Sequence, residues 1–243
     1  MDFGAIALAC RRADAAYQTT PDASKSAFTA LGDSWVSLYT TDSMQAALSV
    51  DPAGATWLSI SGTRASDGYL ADVFRDVSLE PKAVSGGTVT AGVWADLETV
   101  WDWARDTAPG GTVFNVTGHS LGAARCQASV AIVDPKQLGA LYAFASPKFI
   151  GADLFKSHAA VFQRLTPVVN GSDGWASWPW LDLRWRSRAP IPTVWLKDDR
   201  GTFTVLPDGN QWKGGWAFED HDIGGYQKRL DVIAAASDIK PAA

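Results

Sequence analysis

The segment TVFNVTGHSLGAARCQ, residues 112–127, sets Ser120 between Gly118 and Gly122 in a G-x-S-x-G spacing. A serine hydroxyl is a weak nucleophile, so this pattern carries chemistry only if the chain also supplies a base and a group that orients the base. The local context suits attack on a carbonyl. A short apolar run at 112–116 reads as a strand, and the small residues from 121 read as a helix. Together they form the strand–turn–helix that presents a serine Oγ at a sheet edge. The flanking glycines are expected to let the backbone turn tightly without a Cβ clash, and the helix N-terminus beneath favours developing negative charge.

Three histidines are available as the base: His119, His158 and His221. His119 is held in the turn itself, with its side chain directed away from Ser120. His158 precedes most of the acids and reads as a surface residue. His221 comes late and opens a predicted helix, in the chain order serine, acid, histidine that such sites use. The residues alone leave the acid open among Asp134, Asp153, Asp173, Asp182, Asp198, Asp199 and Asp208. Asp173, in VVNGSDGW, follows an apolar run and so sits at a strand's carboxyl end, whereas the others fall in helices or polar loops.

The elements that must position these groups follow from periodicity. Apolar spacing predicts helices over 3–17, 67–76 (with Tyr69, Leu70, Val73 and Phe74 on one side), 91–106 and 121–133, and from His221 to about residue 236. Alternation and apolar runs predict strands over 34–40, 45–50, 55–61, 112–116, 139–145, 160–165 and 191–197. Strands alternating with helices imply an α/β fold with a mostly parallel sheet covered on both faces. No repeat or linker interrupts residues 1–243, so one domain is expected.

Composition narrows the function. The chain has 243 residues, is 47% hydrophobic and 19% charged, and carries a net charge of −5, which is globular and gives nucleic acid no basic footprint. No cationic patch to hold a phosphate head group is evident either. The two cysteines, Cys10 and Cys126, are expected to be buried free thiols, as in a reducing compartment. Three histidines and no paired Cys/His spacing supply no metal site. In the N-terminus, Asp2 precedes the apolar run and Arg11 and Arg12 follow it, the reverse of a secretion signal. No run approaches the ~20 apolar residues of a membrane span. A cytoplasmic location, or export by a route the sequence does not display, is expected. The sequons at Asn115 and Asn170 are discounted, since the first lies in the strand that leads to Ser120.

An ordered set of motifs then adds a family. GHSLGAA at the serine is preceded by SGTR at 61–64, with Ser61 where an arginine is usual. It is followed by FASP at 144–147, with alanine for glycine, by VNGSD at 169–173, and by the late histidine of DHDIGGY. Over residues 55–230 the chain resembles the class 3, fungal lipase-like branch of the α/β-hydrolases. The resemblance implies the α/β-hydrolase fold and a Ser120–His221–Asp173 triad that needs no cofactor. It also implies an oxyanion hole from the Leu121 amide and from Thr63, whose hydroxyl Asp72 would orient, and a lid within 64–92. Lipid esters, acylglycerols foremost, are the implied substrates, with transient contact at a lipid interface.

Twelve tryptophans are present, and Trp175, Trp178, Trp180 and Trp185 crowd GWASWPWLDLRWRSR beside the implied acid. They suit either core packing or an acyl pocket with a lipid-facing rim. Trp175, Trp178, Tyr69 and Phe74 are the expected lining. A phospholipase or short-chain esterase with the same triad, and a non-catalytic binding module on the same fold, are the alternatives. The intact serine, acid and histidine set argues against the last.

Overall fold

The computed structural model describes residues 1–41, 44–63 and 77–238. Its strands, among the described residues, are β1 (Ser34–Thr40), β2 (Gln45–Val50), β3 (Thr56–Ile60), β4 (Pro81–Val84), β5 (Gly87–Thr90), β6 (Phe114–His119), β7 (Leu138–Phe144), β8 (Leu165–Asn170), β9 (Thr193–Leu196) and β10 (Phe203–Leu206). β4 and β5 form a separate hairpin, and the other eight make one sheet in the order β1-β2-β3-β6-β7-β8-β9-β10. The central pairings, from β3 through β6, β7 and β8 to β9, are parallel, and antiparallel strands finish both edges.

The alternation of β7 divides the core. Leu141 and Ala143 enter one apolar cluster, with Leu97, Val100 and Trp101 of the helix Leu97–Thr107 and with Ala123 and Ala124 of the helix Leu121–Ala128. Tyr142 and Phe144 face the other, with Phe3 and Ile6 of the helix Phe3–Ala15 and Tyr226, Leu230 and Ile233 of the helix Ile223–Asp238. Helices therefore cover both faces of a largely parallel sheet, as the periodicity predicts.

The differences from expectation have local causes. The helix expected over 91–106 is a single turn, Ala91–Trp94, and then a new helix from Leu97, because Asp96 takes a left-handed φ of 59°. Residues 160–165 do not form a strand. Ala159–Phe162 is one helical turn that buries Val161 and Phe162, and the strand starts at Leu165, where pairing with Leu141 of β7 begins. A short apolar run fits either state until main-chain pairing decides it. The helix Pro21–Ala30, the β4–β5 hairpin and β10 carry weak periodicity and were not expected. The predicted helix at 67–76 lies outside the described residues. Cys10 and Cys126 are both buried and free.

One buried ion pair seats the N-terminal helix. Arg12 donates to both oxygens of Asp33, at 2.7 and 2.6 Å, the Ser49 hydroxyl donates to the same carboxylate at 2.8 Å, and the guanidinium lies 4.3 Å from the Trp57 ring. Removing one partner of such a pair leaves a charge buried and uncompensated. Arg12→Met should therefore lower the unfolding free energy by about 3–5 kcal/mol in urea titration. A loss under about 1 kcal/mol, the value of an exposed pair, would contradict this role.

Candidate active site

β6 ends at His119 and the helix Leu121–Ala128 begins one residue later, so Ser120 alone makes the turn. It does so at φ 58° and ψ −125°, a conformation that costs a non-glycine residue on the order of 1–3 kcal/mol. The turn is held from both sides. The Ser120 amide donates to Phe144 O of β7 at 2.9 Å, and the Ala123 and Ala124 amides donate to Ser120 O at 3.0 and 3.3 Å. The glycines avoid Cβ clashes as expected, while the left-handed backbone belongs to the serine. A Cβ on Gly118 would lie 2.3 Å from Gly122 O, and one on Gly122 would lie 2.2 Å from Ile60 O. Their absent side chains let the helix close onto β6 and the end of β3.

The structure brings Ser120, His221 and Asp173 into one hydrogen-bonded chain. His221 Nε2 lies 2.9 Å from Ser120 Oγ, and its Nδ1 lies 3.0 Å from each oxygen of Asp173. His221 occupies the short 3₁₀ turn Phe218–His221, just before the final helix rather than within it. Asp173 lies in the loop after β8, and its backbone bridges to Ala217, which ties the loops of acid and histidine together. The chain is enclosed, with Ser120 only 2% exposed.

Asp173 has two further donors, the Ala176 amide at 2.9 Å and the Tyr226 hydroxyl at 2.8 Å. Burial alone would push this carboxyl up. The positive charge available to His221, with hydrogen bonds from His221, Ala176 and Tyr226, outweighs burial and holds Asp173 below the ordinary carboxylate range. It remains an anion that accepts from the imidazole. Burial, then the Asp173 charge, pushes the Tyr226 hydroxyl well up, so it stays a donor. Tyr226 in turn accepts from the Asn170 amide at 3.1 Å, and the Asn170 side chain donates to Asp220 O, next to His221, at 2.9 Å.

The other two histidines are engaged elsewhere. His158 bonds Ser85 O at 3.0 Å, remote in sequence from the turn. His119 is buried, with Nε2 2.9 Å from His221 O and Nδ1 2.8 Å from the Tyr17 hydroxyl. Burial, then the charge of His221, lowers its pKa to about 3, so it is neutral and structural. Tyr17 also reaches Gly62, where a Cβ would lie 2.3 Å from the hydroxyl and 2.9 Å from Ser120 Cβ. The turn after β3 therefore packs directly on the serine. Beside it, Thr63 Oγ1 is buried with no hydrogen-bond partner among the described residues. The Leu121 amide, first in its helix, has no intrahelical acceptor. Tyr69, Asp72 and Phe74 lie outside the described residues.

The tryptophans divide. Trp185 is buried and donates to Leu79 O at 3.0 Å, and Trp178 packs edge-on against Phe149 at 5.2 Å, the packing alternative in both cases. Trp175, which also packs against the core, and Trp180 join Trp216 and Phe218, with ring centroids 4.8 Å apart for Trp175–Phe218 and 5.0 Å for Trp180–Trp216. Trp216 is 68% exposed, and Leu181 and Leu183 nearby in the chain are 90% and 68% exposed, so apolar surface faces outward beside the acid's loop. Sequence reasoning missed Trp216, Phe218, Tyr17 and Tyr226. The two tyrosines carry no motif, while the first pair flanks Ala217, the backbone partner of Asp173.

No protein-family model and no curated protein matches the chain in sequence. Solved structures do match. The Rhizomucor miehei triacylglyceride lipase is 16% identical, with a TM-score of 0.68 over 90% of this chain and 92% of that one. Lipase II from Rhizopus niveus is 15% identical, with a TM-score of 0.68 and the same coverage, 90% and 92%. A triacylglycerol lipase described as having a serine protease triad at its catalytic centre is 16% identical, with a TM-score of 0.58 over 83% and 81%. The chain therefore has the α/β-hydrolase fold that these lipases share.

Proposed function

We propose that the protein is a serine carboxylic-ester hydrolase acting on lipid esters, acylglycerols foremost. The observation that carries the proposal is the unbroken chain from Ser120 Oγ through the His221 ring to Asp173, set on a serine with left-handed backbone. In the reaction, Ser120 Oγ attacks the ester carbonyl while His221 Nε2 takes its proton. Asp173 holds the imidazole in the Nδ1–H tautomer and stabilises the imidazolium that forms. His221 then protonates the departing alkoxide, and the acyl group stays on Ser120. Water, deprotonated by the same nitrogen, releases the acid and restores the serine. Developing negative charge on the carbonyl oxygen is met by the Leu121 amide and by Thr63 through its amide and its unpartnered hydroxyl. Each such donor is worth about 3–4 kcal/mol in the transition state.

The aromatic cluster of Trp175, Trp180, Trp216 and Phe218, exposed at Trp216 and Phe218, supports a lipid substrate, because amphipathic indoles favour an interface. The fold shared with lipases is consistent with this reading.

Asp173→Asn should lower kcat by about 10⁴ with the fold retained by circular dichroism, since the amide favours the wrong imidazole tautomer. Asp182→Asn removes only an exposed pair with Arg184 and should leave kcat unchanged. The reverse outcome would reassign the acid. With p-nitrophenyl esters of increasing acyl length, kcat/KM should rise beyond acetate, each buried CH₂ contributing about 0.8 kcal/mol. Rates that fall steadily from acetate upward would leave the triad in place and reject a lipid substrate.

A further inference from the structure

Behind the acid's loop, four cations from separate parts of the chain meet at one cavity. Lys148 follows β7, Arg186 and Arg188 precede β9, and Lys213 follows the turn Gly209–Gln211. They line a space of about 180 Å³ together with Ser177, Asn210 and Trp212, and no carboxylate lines it. Among the described residues none of the four forms an ion pair. A sequence scan finds no cationic patch because these residues form no run. The fold assembles one.

The arrangement is built rather than incidental. The Arg188 guanidinium donates to Ser146 O at 3.2 Å and to Ala176 O, lies 4.5 Å from the Trp212 ring, and its own amide donates to Asn210 Oδ1 at 2.8 Å. Lys213 Nζ reaches Asn210 O at 3.3 Å. Burial, with repulsion from Arg188 and Arg186, holds the Lys148 ammonium below its ordinary pKa. Asp173, outside the cavity, offsets part of the Arg188 charge, but no carboxylate lines the space, so the converging like charges repel one another there and an anion relieves that repulsion. Ser177 and Asn210 are already bonded within the protein, so the cations do the recognising. Four of them favour a compact dianion over a carboxylate. The space of about 180 Å³ holds far more than one water, enough for a phosphate group.

We propose that this cavity binds a phosphate-class dianion, free or as a phosphomonoester head group, through Lys148, Arg186, Arg188 and Lys213. None of Ser120, His221 and Asp173 lines it, and the inference does not depend on ester hydrolysis, since its test reads binding rather than turnover.

The test is isothermal titration calorimetry of the intact chain with inorganic phosphate, and separately with dihexanoyl phosphatidic acid below its micelle concentration, at constant ionic strength. Saturable one-to-one binding is expected. Arg186→Gln and Lys213→Gln, both exposed positions, should each weaken it about tenfold, the value of one hydrogen bond to a charged group. Tighter binding of the phosphatidic acid would identify a head group as the source, and equal or tighter binding of inorganic phosphate the free anion. The proposal is overturned if neither compound binds saturably, if acetate at the same ionic strength gives the same response, or if both variants bind as the parent does.

Discussion

The left-handed backbone of Ser120 is the constraint on which the site depends. A serine rests there only because its amide is taken by Phe144 O and its carbonyl by the first turn of the following helix. That helix can reach the sheet only because Gly118 and Gly122 carry no Cβ where Gly122 O and Ile60 O lie. The cost of the conformation, on the order of 1–3 kcal/mol, is met by burial of Ala123 and Ala124 in the core. One strained residue thus projects its hydroxyl beyond the carboxyl end of the parallel sheet, where the loops after β3 and β8 arrive.

Those loops supply the remaining parts from distant points of the chain. Parallel strands all deliver their carboxyl ends to one side, which is where ligands bind in open α/β sheets. Asp173 comes from the loop after β8 and His221 from the turn before the last helix, and the Asp173–Ala217 bridge sets their spacing. Neighbouring groups fix them. Tyr226 and the Ala176 amide hold the carboxylate, Asn170 holds the main chain at Asp220, and His119 holds the main chain of His221 while Tyr17 holds His119. The segment just after the N-terminal helix is therefore part of the site, through Tyr17.

Much of this was legible in the sequence. GHSLG announces its turn because the glycine spacing is required by close packing, and His221 is singled out because only three histidines exist. Asp173 needed the VNGSD resemblance, as eight aspartates lie between the serine and His221 and spacing does not rank them. The strands at 34–40 and 45–50 were readable from alternation. The segment at 160–165 was not, since its apolar residues are buried whether helical or extended. Tyr17, Tyr226 and the Lys148–Arg186–Arg188–Lys213 cluster escaped for a common reason. Each acts through a contact made across many residues of chain, and no local pattern encodes it.

The central claim is that Ser120 is the nucleophile. Its most direct measurement is reaction of the intact chain with a fluorophosphonate, in which the serine oxygen displaces fluoride and forms a phosphorus–oxygen bond, followed by peptide mass spectrometry. One label per chain is expected, on the peptide containing Ser120, with labelling lost in Ser120→Ala and greatly slowed in His221→Gln. A label on any other residue, or an undiminished rate in Ser120→Ala, would contradict it.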